Sequence, residues 1–335
     1  ADRWRIYING TQATDISTDG TPDVPLDYVT EFYNASTLNI GANVAGSSNF
    51  FDGLMSYVIL CDGYSYGPDS FGETDATSGE WKIITSPSVT YGTNGFFILK
   101  NGNGITDQSG EGNDFTLGAG TLTATEDCPS DVFATFNPLD VSAGTVTTFS
   151  DGNTTTMHNA GANPAVTAGR STIAYSKGKF YWETKCIAVG GDVRTGIISM
   201  SSSDYVSEGN PYVLNECYNY KQNANKGNSS GDTSYGATYT AGDIIGIAHD
   251  VSAGTLTFYK NGVSQGTAFT GLSTSITWGA FSTEYNTGKF DHNFGNGYFG
   301  TSAISSEGTN ASNIGKFEYD VPTGFTALCT KGLNE

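Results

Sequence analysis

Short runs of alternating apolar and polar residues, separated by turns, make up most of this chain. The pattern is clearest in residues 244–250 and 255–260, which have the period of two expected of β-strands. Asn261-Gly262 follows the second run and predicts a type I′ hairpin, because both residues tolerate a positive φ. A third strand is then expected at residues 263–269. The sequence therefore predicts a three-stranded antiparallel meander at this point.

The rest of the chain has the same character. Of its 335 residues, 37% are hydrophobic and 44 are glycine, and little of the sequence has the 3.6-residue period of an amphipathic helix. Strand-like runs alternate throughout with turns rich in Gly, Asn, Ser and Thr. The length is sufficient for two domains with separate cores. We therefore predict an all-β fold with two β-sandwiches.

Motifs around the predicted meander carry a family resemblance. Gly178-Lys179-Phe180-Tyr181-Trp182-Glu183 precedes it, Gly242–Gly246 opens it, Phe258–Gly262 closes its hairpin and His292-Asn293-Phe294-Gly295 follows it. In type and order these motifs resemble those of the SPRY domain, although His249 stands where the family usually has leucine. The resemblance implies a bent two-sheet β-sandwich that binds partners through its loops. It does not imply catalysis.

The beginning of the chain resembles a second family. Tyr7-Ile8-Asn9-Gly10, Leu38–Gly41 and the run from Phe50 to Leu60 are similar to the second half of a laminin-G or concanavalin-like lectin domain. This resemblance implies two concanavalin-like or jelly-roll β-sandwiches, the first incomplete at its N-terminus. It also leads us to expect that the chain is the C-terminal part of a longer protein.

We divide the chain into three regions. Residues 1–66 are expected to form the partial lectin domain, residues 67–130 a connecting region that can complete the first sandwich, and residues 131–335 the SPRY-like domain. Phe71-Gly72-Glu73-Thr74 and Tyr91–Phe96 resemble segments of lectin-like fibre or appendage proteins of marine tailed phages. In those proteins a lectin-like domain precedes a SPRY-like one. This resemblance implies a virion structural protein with a virion or extracellular location.

The charge of the chain narrows the choice of partners. Its net charge is −19 at pH 7, and its 15 basic residues are scattered without a cluster, which argues against nucleic acid. An acidic surface disfavours anionic membranes, and no apolar run approaches the ~20 residues that span a bilayer. The five cysteines are widely spaced without a C-x-x-C, which argues against a zinc ribbon or a redox dithiol.

Residues for catalysis are sparse in the sequence. His158, His249 and His292 lie in three separate segments, and no G-x-S-x-G elbow, H-E-x-x-H helix or P-loop occurs. His249 shares a face with the apolar residues of its strand, which predicts a hydrogen-bonded core histidine. Glu183 fits a structural role in its strand. We therefore expect no catalytic residues and no enzymatic activity.

The chain has one candidate cation site, at Asp107 and Asp114 in the acidic turn from Asp107 to Asp114. Calcium binds six to eight oxygens, and this turn offers carboxylates and backbone carbonyls. The interpretation that the sequence favours is an ordinary turn closed by its Asp side chains. No other cofactor is expected.

The best candidate for a binding surface is the long polar stretch from Ser201 to Gly236. It combines tyrosine with Ser, Gly and Asn, a mixture typical of recognition loops. Aromatic faces and amides together also suit sugars. The alternative is that the tyrosines pack within strands. The predicted ligand-binding residues are Tyr205, Asn210, Tyr212, Asn223, Asn225 and Tyr235.

These patterns favour a non-catalytic adhesion component of a phage particle that binds host-surface glycans. We expect a homo-oligomer, because repeated weak sites gain avidity when they are linked. Two alternatives stay open. One is a SPRY-type module for protein–protein contact within a virion, and the other is the C-terminal part of a glycan-degrading enzyme.

Overall fold

The chain folds into two compact units, Ala1–Ala124 and Thr125–Glu335. The structure, a computed structural model, describes residues 5–14, 38–43, 50–51, 55–74, 76, 79, 81–100, 104–118, 122, 126–128, 131–142, 147–158, 166–202, 205, 207 and 210–334. Among these residues, no helix is long and apolar enough to cross a membrane.

The described part of the N-terminal unit forms three antiparallel strand pairs. They join β1 (Tyr7–Ile8) to β2 (Thr11–Gln12), β3 (Val58–Leu60) to β6 (Phe96–Ile98), and β4 (Gly72–Thr74) to β5 (Trp81–Ile83). A short 3-10 helix spans Pro68–Ser70. Asn9 and Gly10 connect β1 to β2 with φ of 49° and 76°, the conformation that an Asn-Gly hairpin turn requires.

The core of the N-terminal unit is built on β6, whose three residues are all buried. The ring of Phe96 lies edge-on to Phe115, with centroids 4.8 Å apart, and Phe97 lies 5.2 Å from Tyr57. Parts of the predicted first sandwich fall on residues 15–37, 44–49 and 52–54, outside the described residues. The partial lectin domain and the boundaries at 66/67 and 130/131 stay predictions.

The C-terminal unit is built from strands β7 to β23. In chain order they are β7 (Phe136–Val141), β8 (Thr147–Ser150), β9 (Thr155–His158), β10 (Val166–Tyr175), β11 (Lys179–Ala188), β12 (Asp192–Ser199), β13 (Cys217–Lys221), β14 (Asn225–Asn228), β15 (Gly231–Ser234), β16 (Ile244–Asp250), β17 (Thr255–Lys260), β18 (Val263–Phe269), β19 (Trp278–Tyr285), β20 (Lys289–Asn293), β21 (Tyr298–Phe299), β22 (Ser302–Ala303) and β23 (Thr326–Ala327). Short 3-10 helices span Pro211–Val213 and Gly332–Asn334.

These strands form two large sheets that face each other. The seven-stranded sheet has the order β15-β14-β13-β12-β19-β10-β7, and the eight-stranded sheet has the order β18-β17-β16-β11-β20-β9-β8 with β23 beside β11. The neighbours are antiparallel except for β23, which is parallel to β11. Strands β21 and β22 form a separate hairpin. This architecture confirms the all-β class and the two-sheet sandwich.

The predicted meander is confirmed as β16, β17 and β18. Asn261 and Gly262 have φ of 48° and 77°, as a type I′ turn requires. The Asn261 side chain also fixes the start of β16: its Oδ1 accepts the Ile244 N–H at 2.8 Å, and its Nδ2 donates to Asp243 at 2.7 Å. Asn261 therefore forms the turn between β17 and β18 and also holds the start of β16 beside it.

The core lies between the facing sheets. Its largest fully buried side chains include Phe180, Tyr181, Trp182, Phe258, Trp278 and Phe290, each at most 1% exposed. Burial of a large apolar side chain contributes about 1.5–3 kcal/mol, so these residues account for much of the stability of the sandwich.

Candidate functional site

The seven-stranded sheet has an inner face toward the core and an outer face away from it, because side chains alternate along a strand. On β12, Val193 and Ile197 belong to the main core, whereas Arg194 and Ile198 point to the outer face. The outer face carries a second, smaller core that consists of Ala168, Ile198, Tyr205, Cys217 and Phe281, with Tyr212 and Leu214 packed against it. Residues of the predicted binding stretch thus cover part of this face.

A cluster of charged groups surrounds Arg194 on the outer face. Its guanidinium donates two hydrogen bonds to Asp192, at 3.2 and 3.0 Å, and two to Asp232, at 2.7 and 3.1 Å. The ammonium of Lys221 lies 2.6 Å from Asp192 and 3.6 Å from Asp232. The guanidinium also lies 4.0 Å from the ring centroid of Tyr212. We call these five residues the Arg194 cluster.

The Arg194 side chain is 5% exposed but stays charged. Burial lowers the pKa of Arg194, whereas the hydrogen bonds to Asp192 and Asp232 raise it, and the net result is a raised pKa. A buried cation needs such partners, because an unpaired buried charge is very costly. The cluster therefore holds two cations and two anions in fixed positions.

The outer face carries a second arginine–tyrosine stack. Arg170 forms a bidentate pair with Asp140, at 2.9 and 2.6 Å, and lies 4.0 Å from the ring centroid of Tyr205. Tyr205 is 0% exposed, and its hydroxyl has no hydrogen-bond partner among the described residues. As a ligand-binding residue, Tyr205 would have to leave this packed position.

The structure places the predicted asparagines at different points of the same region. Asn210 is exposed and accepts a hydrogen bond from the Tyr212 hydroxyl at 3.5 Å. Asn225 pairs with Lys221 across β13 and β14, so its side chain lies on the outer face with the Arg194 cluster. Asn223 is exposed in the turn between these two strands. The structure therefore brings Asn225 and Tyr212 to one face.

Tyr235 lies on the opposite side of the sheet. Its ring packs against the main core, its hydroxyl donates to the Gly266 carbonyl, and the Phe258 N–H donates to that hydroxyl at 3.3 Å. This arrangement matches the alternative that tyrosines of the stretch pack within strands. Tyr235 is therefore separated from the Arg194 cluster.

Sequence reasoning missed the charged members of this face. Arg194 is not among the residues predicted from the sequence, although Asp192 two residues earlier offered a signal. An arginine in an apolar strand is rarely buried without a carboxylate partner, and residues two apart share a face. Asp232 and Lys221 come from other strands, and no local pattern in the sequence connects them to Arg194.

The predicted cation turn is closed by its own side chains. Asp107 Oδ1 accepts the N–H groups of Phe97 and Ser109 at 2.8 and 2.9 Å, and Oδ2 accepts the Ser109 hydroxyl and the Asn113 N–H at 2.7 and 3.0 Å. Burial raises the pKa of Asp107, but these donors lower it to a net depressed value. Asp114 accepts the Asp107 N–H at 2.8 Å. This geometry favours the ordinary turn over a calcium site.

Within the described ranges, no group of three or more His, Cys, Asp or Glu residues is placed to hold a metal ion.

The prediction that His249 is a core histidine is confirmed. Its Nδ1 lies 3.0 Å from the Tyr175 hydroxyl, and its ring lies edge-on to Trp278 at 5.3 Å. Burial lowers the pKa of His249 to about 3, so the ring is neutral at physiological pH. His158 and His292 are also buried.

Glu183 has the structural role that its position in the sequence indicates. Its carboxylate accepts the N–H groups of Glu318 and Tyr319, at 2.8 and 2.9 Å, and the Tyr181 hydroxyl at 3.1 Å. Burial raises the pKa of Glu183 to about 7. This residue therefore attaches the C-terminal segment to β11.

Comparison with known proteins agrees with the motifs in the C-terminal unit. The family model of the SPRY domain matches residues 179–295, which run from β11 through β20. The crystal structure of the SPRY domain of human HERC1 is similar, with 17% sequence identity and a TM-score of 0.40, over 47% of this chain and 96% of that chain. The match of the family model, by itself, identifies a SPRY domain at residues 179–295.

Proposed function

We propose that this chain is a non-catalytic recognition protein whose SPRY domain binds a protein partner through the Arg194 cluster. SPRY domains are protein-interaction modules, which supports a protein as the partner. The observation that carries the proposal is that charged groups on the outer face are both held in place and partly exposed to solvent. Asp192, Lys221 and Asp232 are fixed by ion pairs, yet 23%, 16% and 29% of their side-chain surface is exposed.

Fixed charges suit a recognition surface. A partner that contacts them loses little additional side-chain entropy, because the ion pairs already hold these long side chains in place. Their alternating signs also select partners by electrostatic complementarity. The net charge of −19 attracts basic partners over a longer range. We therefore propose a partner that presents basic as well as acidic groups.

The edge of the sheet next to the cluster adds a second contact surface. Strand β15 is the edge strand, and all four of its residues are exposed. Asp232 on this strand belongs to the Arg194 cluster, so a bound polypeptide can reach both the charged groups and the backbone edge of β15, which pairs with no further strand among the described residues. Addition of a strand to an exposed edge is a common mode of peptide recognition.

The positions of the tyrosines favour a protein over a sugar at this face. Sugars stack on open aromatic faces, but Arg194 covers one face of the Tyr212 ring and Tyr205 is buried. We propose that the contact belongs to a fibre or appendage of a tailed phage, as the sequence resemblance implies. The chain would then be an extracellular virion structural protein, and a homo-oligomer would multiply weak contacts.

The test uses the full chain as an immobilised target for a displayed library of random peptides and, in parallel, a glycan array. Retained peptides are then measured against a variant with Lys221→Ala and Asn210→Ala. The matched control is Lys177→Ala, which removes one exposed cation from the Ser176–Gly178 turn. We expect peptides whose affinity falls at least about tenfold in the double variant, equivalent to 1.4 kcal/mol, and is unchanged in the control.

Three results would contradict the proposal. Peptides that bind the double variant as well as the original chain would place the contact elsewhere. Glycan binding without peptide binding would restore the adhesin predicted from the sequence. Release of oligosaccharides from the array would indicate the glycan-degrading alternative.

A further inference from the structure

A chain of hydrogen bonds crosses the interior of the sandwich. Glu284 on β19 is 0% exposed, and its Oε1 lies 2.7 Å from the Thr156 hydroxyl on β9. That hydroxyl lies 2.9 Å from His292 Nε2 on β20, and His292 Nδ1 lies 3.0 Å from the Thr184 hydroxyl on β11. Thr184 lies 3.3 Å from the Thr195 hydroxyl on β12. This series of hydrogen bonds thus links strands of both sheets.

The series of hydrogen bonds ends at a backbone carbonyl, which acts as the last acceptor. The Thr195 hydroxyl lies 3.5 Å from the Phe281 carbonyl oxygen. At the near end, the Ser282 hydroxyl lies 3.3 Å from the Thr156 hydroxyl, and, against the larger effect of burial, its hydrogen bonding lowers the pKa of Glu284. Glu284 Oε2 is buried and has no hydrogen-bond partner among the described residues. An ionised carboxylate in this position is poorly solvated, and a proton on it relieves that cost.

The donor directions differ with the charge of Glu284. If the carboxylate is ionised it can only accept, so Thr156 donates to it. The Thr156 oxygen then accepts from Nε2–H of His292, and Thr184 donates to Nδ1. His292 is therefore the Nε2–H tautomer in this state.

A proton on Glu284 reverses each of these directions. The carboxyl O–H donates to Thr156, and Thr156 donates to His292 Nε2, which carries no proton. Nδ1–H then donates to Thr184, whose hydroxyl donates to Thr195, and Thr195 donates to the Phe281 carbonyl. The protein gains one proton, which resides on Glu284, and the imidazole stays neutral while its N–H moves from Nε2 to Nδ1.

We propose that Thr156, Glu284, His292, Thr184 and Thr195 form a reversible hydrogen-bond relay in which the protonation of Glu284 sets the tautomer of His292. Burial raises the pKa of Glu284 to about 7, and burial lowers the pKa of His292 to about 3. The carboxyl group therefore changes its charge near neutral pH while the imidazole does not. Both sheets carry members of the relay, so one proton changes donor directions on strands of both sheets.

Other charged groups near the relay point away from it. On β12, Asp192 and Arg194 face the outer surface. On β11, Glu183 binds the 318–319 backbone, and on β20, Asp291 accepts from Thr155 at 2.7 Å. On β9, His158 is a titratable residue on the same side of the strand as Thr156. The centroid of its ring lies 6.3 Å from that of Tyr285.

The experiment is a pH series of two-bond imidazole ¹H–¹⁵N spectra on the full chain labelled at histidine. The chain has three histidines, and His292 is assigned through its backbone resonances. Between about pH 9 and about pH 5, we expect the pyrrole-type signal to move from Nε2 to Nδ1. The exchange should be about nine-tenths complete within one pH unit on either side of the midpoint.

Two variants break the relay and one leaves it intact. Thr156→Val and Glu284→Gln should each leave the His292 tautomer independent of pH, and either one is sufficient if the other does not fold. Thr283→Val is the matched control. Thr283 is next to Glu284 in the sequence but lies on the opposite face of the sheet, and its buried hydroxyl has no hydrogen-bond partner among the described residues. Its pH series should equal that of the original chain.

A single tautomer of His292 in the original chain from about pH 5 to about pH 9 would overturn the proposal. So would conversion of His292 to an imidazolium, or a tautomer change that persists in both Thr156→Val and Glu284→Gln.

Discussion

The guanidinium of Arg194 lies 4.0 Å over the ring of Tyr212, and this stack attaches the 3-10 turn at Pro211–Val213 to the outer face of the seven-stranded sheet. The guanidinium of Arg194 makes two kinds of contact. Its N–H groups, at the edge, donate to two carboxylates, and its flat face stacks on an aromatic ring. Lysine has neither the planar fork nor the stacking surface. The position therefore demands arginine.

Arg194→Leu should strongly destabilise the chain, because it leaves Asp192 and Asp232 without their main cation. Loss of one partner of a buried ion pair costs about 3–5 kcal/mol, and partial exposure of these aspartates places the expected cost at the lower end. Arg194→Lys should also lower the free energy of unfolding, but by less than Arg194→Leu. Chemical denaturation of the full chain measures both. Equal stability of Arg194→Leu and the original chain would contradict the cluster as described.

Tyr205→Phe should leave stability unchanged or slightly increased, since the buried hydroxyl of Tyr205 makes no hydrogen bond within the described part of the chain. Tyr205→Ala should destabilise by about 3–5 kcal/mol, because it leaves a cavity in the outer-face core. Thermal unfolding followed by circular dichroism distinguishes the two. If Tyr205→Phe is as destabilising as Tyr205→Ala, the hydroxyl has a partner that this conformation does not show.

Glu183→Gln should loosen the C-terminal segment. The amide can offer one acceptor oxygen to the Glu318 and Tyr319 N–H groups instead of two, and an unpaired buried polar group costs about 1–3 kcal/mol. Hydrogen exchange of the amides at 318 and 319 should accelerate more than that of the meander strands. Glu111→Gln, which removes one exposed charge, is the control for charge alone. Unchanged exchange at 318 and 319 would refute this role for Glu183.

Calcium should not stabilise the N-terminal unit, because both Asp107 oxygens already accept hydrogen bonds. We expect the same unfolding midpoint with calcium chloride and with EDTA. Asp107→Asn should destabilise by about 1–2 kcal/mol through lost acceptors. The depressed pKa of Asp107 gives this stabilisation a pH dependence: it is present above the usual range of an aspartate and is lost as the pH falls. A calcium-dependent rise of the midpoint, absent in Asp107→Asn, would instead support the cation site.

The extent to which the sequence predicts this protein depends on how local each interaction is. The meander and the turn at Asn261-Gly262 follow from alternation and φ preference within 26 residues, and both are confirmed. The Arg194–Asp232 pair joins residues 38 positions apart through a hairpin whose path no local pattern specifies. Tyr205 lies in a stretch with the composition of a recognition loop, but its side chain packs into a core. That core forms only when the outer face of the sheet is assembled.

The same limit applies to the interior of the sandwich. Period-two alternation identifies buried positions, but it does not distinguish a buried apolar residue from a buried glutamate with a hydroxyl partner. Glu284 and Thr156 are 128 positions apart, and their contact depends on the register of two facing sheets. Only the folded structure brings them together.

The stability of the chain should fall as the pH rises from about 4.5 to about 7 through the contribution of Glu284. Its ordinary pKa is 4.5 and burial raises it to about 7, so the folded state binds the proton more tightly than the unfolded state. The contribution is fully present below the unfolded pKa and is lost as the pH rises through the folded one. A shift of this size corresponds to roughly 3 kcal/mol.

Glu284→Gln isolates that contribution, since other buried carboxyls with a raised pKa, such as Glu183 and Asp127, remain in both proteins. The amide mimics the uncharged acid, so the variant should gain stability relative to the original chain as the pH rises from about 5 to about 8. Urea denaturation of both proteins across that range, with Thr283→Val as the control, measures the difference. A difference that does not change with pH would mean that Glu284 keeps one charge state throughout, and that the carboxyl group is stabilised as an anion despite its burial.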